Sequence, residues 1–174
     1  TARAKLLLGA GVLAWTQGDY TTAQPRLEES LGLAREREET RLSAQGLHYL
    51  GLTALLRGDP ATALARCEET LPLWRAMGNT VGEAFALWNL GYAAQLTGDL
   101  AGARAGYTRS LAMSREVGDL RIQALTLTGL AVTAEAEGDA ATARALHAEG
   151  LPLARRAGDP FVLAWLLGTA GAIA

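Results

Sequence analysis

The sequence predicts an all-α array of antiparallel helix pairs, about nine helices in all. Three observations predict it. The dipeptide Gly-Asp recurs at Gly18-Asp19, Gly58-Asp59, Gly98-Asp99 and Gly138-Asp139, 40 residues apart each time, and a fixed period of this length marks a repeat architecture. A second punctuation falls midway, at Gly78-Asn79, Gly118-Asp119 and Gly158-Asp159, and the first repeat carries Glu38-Glu39 there instead. Between punctuations the segments run about 18 residues, room for roughly five helical turns, with apolar residues at three- and four-residue steps.

Taken in order, the repeats cover residues 1–39, 40–79, 80–119 and 120–159, and the first helix of a fifth covers 160–174. Each turn has a local cause. Glycine tolerates the left-handed C-cap, and the aspartate after it N-caps the next helix. Pro60 and Pro160 follow that aspartate, at the first helical position, where no backbone donor is needed. Pro25, Pro72 and Pro152 fall inside the second helix of their repeats and are expected to bend it or remove one hydrogen bond.

The same register runs through the helices. First helices share the columns Leu7, Leu47, Leu87, Leu127, Leu167 and Ala14, Ala54, Ala94, Ala134, Ala174; a third column reads Gly11, Gly51, Gly91 and Gly171, broken by Ala131. Second helices add Ala23, Ala63, Ala103, Ala143 and Leu31, Leu71, Leu111, Leu151. Small residues at fixed places mark close helix crossings, and the leucines supply buried area between them. Other glycines, such as Gly82, Gly102 and Gly106, have no place in these columns.

Composition excludes several classes. With 49% hydrophobic and 20% charged residues and a net charge of -2, the chain can bury a core and lacks the basic footprint of a nucleic-acid binder. A lone cysteine, Cys67, rules out an intramolecular disulfide framework and fits a reducing, cytoplasmic setting. The most apolar stretch, Phe161 to Ala174, has 14 residues, short of the 18 or so a membrane span needs. No secretory signal opens the chain. The start at Thr1 and the uncharged last segment lead us to expect a piece of a longer array, with apolar ends that can self-associate.

The Leu-Gly pairs Leu50-Gly51 and Leu90-Gly91, the alanine that follows, the Gly-Asp, an alanine four residues after the aspartate and a leucine eight residues later resemble the tetratricopeptide repeat. The resemblance covers nearly the whole chain. It implies a right-handed superhelical α-solenoid. The period of 40 residues departs from the family's common one of 34 and is similar to that in the C-terminal arms of bacterial LuxR-type and related signal-transduction ATPase regulators, and in some eukaryotic polarity adaptors. Arginine outnumbers lysine, Lys5 being alone, which suggests a GC-rich bacterial genome.

The resemblance also implies that first helices line a concave inner surface. On it would lie Lys5, Leu8, Val12 and Trp15, then Gln45, His48, Leu52 and Leu55. Phe85, Trp88, Asn89, Tyr92 and Gln95 follow, then Leu125, Thr128, Val132 and Glu135, with Trp165 opening the fifth repeat. Candidate partner contacts are Trp15, Gln45, His48, Phe85, Trp88, Asn89, Tyr92, Gln95, Leu125 and Trp165. Phe85, Trp88 and Tyr92 share one helix face, as a hot spot for a peptide would. The competing reading is packing between repeats. Exposure of Trp88 and Tyr92 separates the two.

Other constellations carry less. A clamp for a C-terminal carboxylate needs convergent basic residues beside Asn89, and the third and fourth inner faces lack them. The column Arg35, Arg75, Arg115, Arg155 reads as outer-face charge that complements helix C-termini and pairs with acids such as Glu38 or Glu39. Glu28-Glu29 and Glu68-Glu69 read as solvated face, with no metal site. His147 shares a column with Leu27, Cys67 and Tyr107, which points to packing; His48 is expected on the inner face, exposed. No GxxxxGK phosphate loop occurs. The sequence therefore predicts a non-catalytic, cofactor-free module that binds a protein, a peptide or another domain of its own polypeptide, without direct nucleic-acid or membrane contact. The leading role is the sensor or regulatory arm of a bacterial transcriptional regulator or signal-transduction ATPase. The alternatives are a free-standing adaptor, or a groove receptor for a small molecule or signalling peptide.

Overall fold

The computed structural model describes residues 1–170; Gly171 and Ala174, the last members of their columns, lie outside the described residues. Nine helices account for the described fold: α1 (Ala2–Thr16), α2 (Tyr20–Arg35), α3 (Thr40–Leu56), α4 (Pro60–Ala76), α5 (Thr80–Leu96), α6 (Leu100–Glu116), α7 (Leu120–Ala136), α8 (Ala140–Ala157) and α9 (Pro160–Ala170). They form two compact units, Thr1–Asn79 and Thr80–Ala174. The boundary coincides with the punctuation Gly78-Asn79.

The predicted glycine turns share a left-handed backbone. At each of the seven punctuating glycines φ is positive, from 61° at Gly78 to 84° at Gly138. At six of them, Gly18, Gly58, Gly78, Gly98, Gly118 and Gly138, the glycine N–H donates to a carbonyl three residues back and the next residue's N–H to one five residues back, as from Gly18 to Trp15 and from Asp19 to Ala14. This is the Schellman pattern. It gives the alanine column a second role, since the carbonyls of Ala14, Ala54, Ala94 and Ala134 receive the bonds from Asp19, Asp59, Asp99 and Asp139. The aspartate side chain then starts the next helix. Its Oδ1 accepts from Thr22, Thr62, Gly102, Ile122 and Thr142 at 2.9–3.0 Å in five of the turns. At Asp19, Asp59 and Asp139 the bonds to the threonine hold the carboxyl below its usual range.

Glu38 takes the same backbone shape without being glycine, at φ 55°. A residue with a Cβ pays roughly 1–2 kcal/mol there, and Glu38 is exposed on its own side of the turn. Glu38→Gly is therefore expected to stabilise the protein by about 1 kcal/mol, raising Tm by roughly 3 °C. A calorimetric scan that shows no rise would refute the account of this turn.

The internal prolines do not end their helices. α2, α4 and α8 run on through Pro25, Pro72 and Pro152, and all three prolines are exposed. The missing N–H thus leaves its acceptor on the wet side of the helix, where water can serve it.

In the first unit the core joins Ala4, Leu8, Ala14, Ala23, Leu27, Leu31, Ala34, Leu42, Leu47 and Leu50. Gly11 meets Leu27 so closely that a Cβ would stand 2.8 Å from its Cγ. In the second unit the crossing of α5 and α6 is closer still, because Gly91 and Gly106 pack backbone to backbone, with a Cβ on Gly106 only 2.9 Å from the Gly91 nitrogen. That explains Gly106. Gly129 of α7 faces the same partner from the other side: Tyr107 of α6 lies between Gly91 and Gly129, fully buried, and its hydroxyl donates to Gln95 Oε1 at 2.7 Å. Buried serines recur too, Ser30 donating to the Ala4 carbonyl at 2.8 Å and Ser110 to the Ala84 carbonyl at 2.7 Å.

Two members of the arginine column, Arg35 and Arg115, pair across repeats, and the partner of Arg35 is Glu69 in place of the expected Glu38 or Glu39. Arg35 reaches Glu69, and Arg115 reaches Glu149 at 2.6 Å, each linking two outer helices. These pairs are half-exposed and contribute little to stability. Of the apolar positions near the ends of the chain, Leu6 is 74% and Leu13 60% exposed on α1, and Leu167 is exposed on α9.

Candidate functional site

The α1–α3 side of the first unit is an open concavity, a groove of about 750 Å³. This is the size of a pocket for a small ligand or a few peptide side chains. α1 contributes Lys5, Leu8, Gly9 and Val12, spaced so that one helix face is presented along its length. α3 contributes Thr40, Arg41, Leu42, Gln45 and Tyr49, and its N-cap residue Glu39 completes the lining. Leu8 and Leu42 are buried in the floor, Val12, Gln45 and Tyr49 are partly exposed, and Lys5 and Arg41 stand in solvent. Gly9 leaves the floor open: a Cβ there would meet no atom within 4 Å.

Charge in the groove is uneven. The lining holds the cations Lys5 and Arg41 and the single acid Glu39, and among the described residues Lys5 and Arg41 make no ion pair. α3 opens beside them without the usual cap, since its N-cap residue Glu39 makes no side-chain capping bond. The groove is therefore apolar below and cationic at the rim.

Sequence reasoning placed Lys5, Leu8, Val12 and Gln45 on this surface and missed Arg41, Leu42, Tyr49 and Gly9. The signal for Arg41 was available. Arg41, Gln45, His48 and Leu52 follow one another at four-, three- and four-residue steps, so the inner face begins one turn earlier than we expected. Trp15 lies next to the groove, edge-on to Tyr49 with ring centroids 5.6 Å apart, and His48 is edge-on to Tyr49 at 5.2 Å. Both are partly exposed.

The candidates of the second unit come together in a different way. Phe85, Trp88 and Tyr92 do share one face of α5, with centroids 5.4 Å apart for Phe85 and Trp88 and 5.7 Å for Trp88 and Tyr92. Trp165 of α9 closes on them, 5.6 Å from Trp88 and 5.8 Å from Tyr92. The guanidinium of Arg121 lies 5.0 Å above the Phe85 ring and also donates to Asp159 at 2.6 Å. Exposure divides the set: Trp88 and Asn89 are only 3% and 1% exposed, Leu125 and Thr128 are fully buried, and Phe85, Tyr92, Gln95 and Trp165 remain partly accessible. Burial of Tyr92 beneath these rings pushes its hydroxyl pKa up.

Two groups with reactive potential, Cys67 and His147, are buried. Cys67 is 2% exposed and desolvation pushes its thiol up to about 12, far from the thiolate a nucleophile needs. His147 is 7% exposed with its pKa lowered by burial. Among the described residues no cluster of three or more His, Cys, Asp or Glu side chains could hold a metal ion, and no helix is long and apolar enough to cross a membrane.

The sequence profile of the tetratricopeptide repeat matches residues 2–76 and 82–156. The chain belongs to the tetratricopeptide repeat family. Both matched spans fall on the helix pairs, each within one of the compact units. Among solved structures, the chain is similar to the crystal structure of the apo form of RapI, with TM-score 0.77 and 12% identity over 98% of this chain. It spans 62% of the RapI chain. A de novo designed helical repeat protein, DHR81, also aligns, at TM-score 0.34 and 18% identity, over 99% of this chain and 87% of that one. No curated protein matches by sequence. The fold class is thus that of an all-α helical repeat, and tetratricopeptide repeats are protein-binding modules.

Proposed function

We propose that the protein is a non-catalytic module that captures a peptide segment of a partner, or of another domain of its own polypeptide, in the groove between α1 and α3. One observation carries this reading: the groove is the place where an apolar floor, an amide and unpaired cations lie together and open to solvent. The burial of Cys67 and His147 supports a role without catalysis. On this proposal Trp15 and His48 border the site and Gln45 lies in it. Trp88, Asn89 and Leu125 shape the second unit from within, and Phe85, Tyr92, Gln95 and Trp165 keep exposed edges as a secondary contact surface. The 40-residue period supports the finer reading of a regulatory or sensor arm in a cytoplasmic bacterial regulator. The exposed Leu6, Leu13 and Leu167 support self-association as a further property.

The test fills the groove without harming the helix. Gly9→Leu places a side chain in open space and improves helix propensity by about 0.8 kcal/mol. Peptides are selected from a random display library on the immobilised protein, and the selected pool is rebound to the variant. The expected result is a variant at least as thermostable as the parent that no longer retains the pool. Equal retention by both proteins would refute the groove as the site.

A further inference from the structure

We infer that the partner segment is acidic: it carries side-chain carboxylates next to apolar side chains, and Lys5 and Arg41 recognise the carboxylates. The inference rests on the groove reading above and adds the chemistry of the ligand.

The geometry supplies both halves of the recognition. Leu8 and Leu42 form a buried floor, and the open space over Gly9 admits an apolar side chain onto it. Lys5 comes from α1 and Arg41 from the first turn of α3, so the two cations belong to opposite walls of the groove. A segment lying between them meets positive charge on either side. Most other arginines of the first unit with a defined polar contact are engaged elsewhere: Arg3 with Glu29, Arg35 and Arg66 with Glu69, Arg57 with Gln24. Lys5 and Arg41 line the groove and make no ion pair among the described residues. The lining sets two cations, Lys5 and Arg41, against one acid, Glu39, so its net charge is positive. The start of α3 reinforces the bias, because its first N–H groups lack a side-chain acceptor from the N-cap residue and carry the positive end of the helix dipole. A basic segment would bring like charge to this rim, a source of discrimination against it.

The ligand chemistry is a carboxylate on a side chain within the segment. A free chain terminus is not needed, since the two cations sit on facing walls and the groove is open at the surface.

The experiment reads the composition of the selected pool and then tests the charges. The library displays twelve-residue segments flanked on both sides by carrier protein, so no segment has a free C-terminus. Sequences retained by the parent protein and lost on Gly9→Leu are expected to be enriched in Asp and Glu beside Leu, Ile or Phe. The most enriched one, made as a labelled peptide, is expected to bind with an affinity that falls as salt rises. Lys5→Glu combined with Arg41→Glu should weaken it by at least roughly tenfold, at unchanged helicity. A version of the peptide with its acids replaced by Lys should bind the charge-reversed protein better than the parent protein. If the pool depends on Gly9 but shows no acidic enrichment, or if charge reversal leaves affinity unchanged, the inference is overturned and the groove reading stands. If the pool ignores Gly9→Leu, or none is selected, both are overturned.

Discussion

Gly129→Ala is expected to destabilise the protein by about 2–3 kcal/mol and lower Tm by roughly 5–10 °C, although alanine is the better helix former. A Cβ on Gly129 would stand 2.4 Å from Tyr107 Cζ, well inside the roughly 3.5–4.0 Å of favourable carbon contact. The ring cannot retreat. On its other side Gly91 is nearly as close, with a Cβ there 2.7 Å from Tyr107 Cδ1, and the hydroxyl is tied to Gln95. Gly91→Ala should therefore cost a similar amount. Gly51 occupies the corresponding place in the preceding repeat, but its neighbour is Cys67, and a Cβ would sit 3.7 Å from Sγ and 3.5 Å from Arg66 Cβ. There the added methyl makes ordinary contacts and the gain in helix propensity of about 1 kcal/mol dominates. Gly51→Ala is expected to raise Tm. Combining Gly91→Ala with Tyr107→Cys should cost less than the sum of the two single changes. Equal effects of alanine at Gly51 and Gly91 in thermal unfolding would show that the column acts through helix propensity and not through the ring.

The difference between these glycines marks how far the sequence reaches. The turns were legible because each is a local matter: glycine at a left-handed cap and aspartate three residues before the N–H it accepts from can be read from adjacent letters. The crossing column was legible as small residues at a fixed period. What each member meets was not, because Gly51 and Gly91 look alike until their partners Cys67 and Tyr107 are placed. Gly129 was invisible, since its column reads Gly9, Tyr49, Asn89, Gly129 and has no regularity. The same limit applies to the inner surface. Phe85, Trp88 and Tyr92 were recognisable as one helix face. Whether that face stays open depends on how closely the first helices of successive repeats approach, which brings Trp165 onto Trp88 from far along the chain. Curvature is the accumulated result of many small packing choices, and no short pattern encodes it. In the first unit the corresponding surface stays open over Gly9, and the candidate groove follows from an absent side chain.

His147 gives a case where the sequence placed the residue correctly and the structure shows what that placement costs. It stands in the packing column with Leu27, Cys67 and Tyr107, but an imidazole has two nitrogens to satisfy. Among the described residues neither Nδ1 nor Nε2 finds a hydrogen-bond partner. A buried polar group left in this state costs on the order of 1–3 kcal/mol. His147→Leu, the choice made at Leu27, is expected to stabilise the protein by about 1–2 kcal/mol at neutral pH, raising Tm by several degrees. The variant should also change the response to acid. Desolvation lowers the folded-state pKa below 6.5, against a smaller opposing pull from Glu135. The unfolded chain thus binds the proton first. The contribution of His147 is full above pH 6.5 and declines as pH falls from there toward the folded-state value. The stabilising effect of His147→Leu is therefore expected to grow between neutral and mildly acidic pH. Chemical denaturation of both proteins across that range measures it. A difference that stays constant with pH would mean that His147 titrates alike in the folded and unfolded chain, and a loss of stability at neutral pH would mean that the imidazole finds partners that leucine cannot replace.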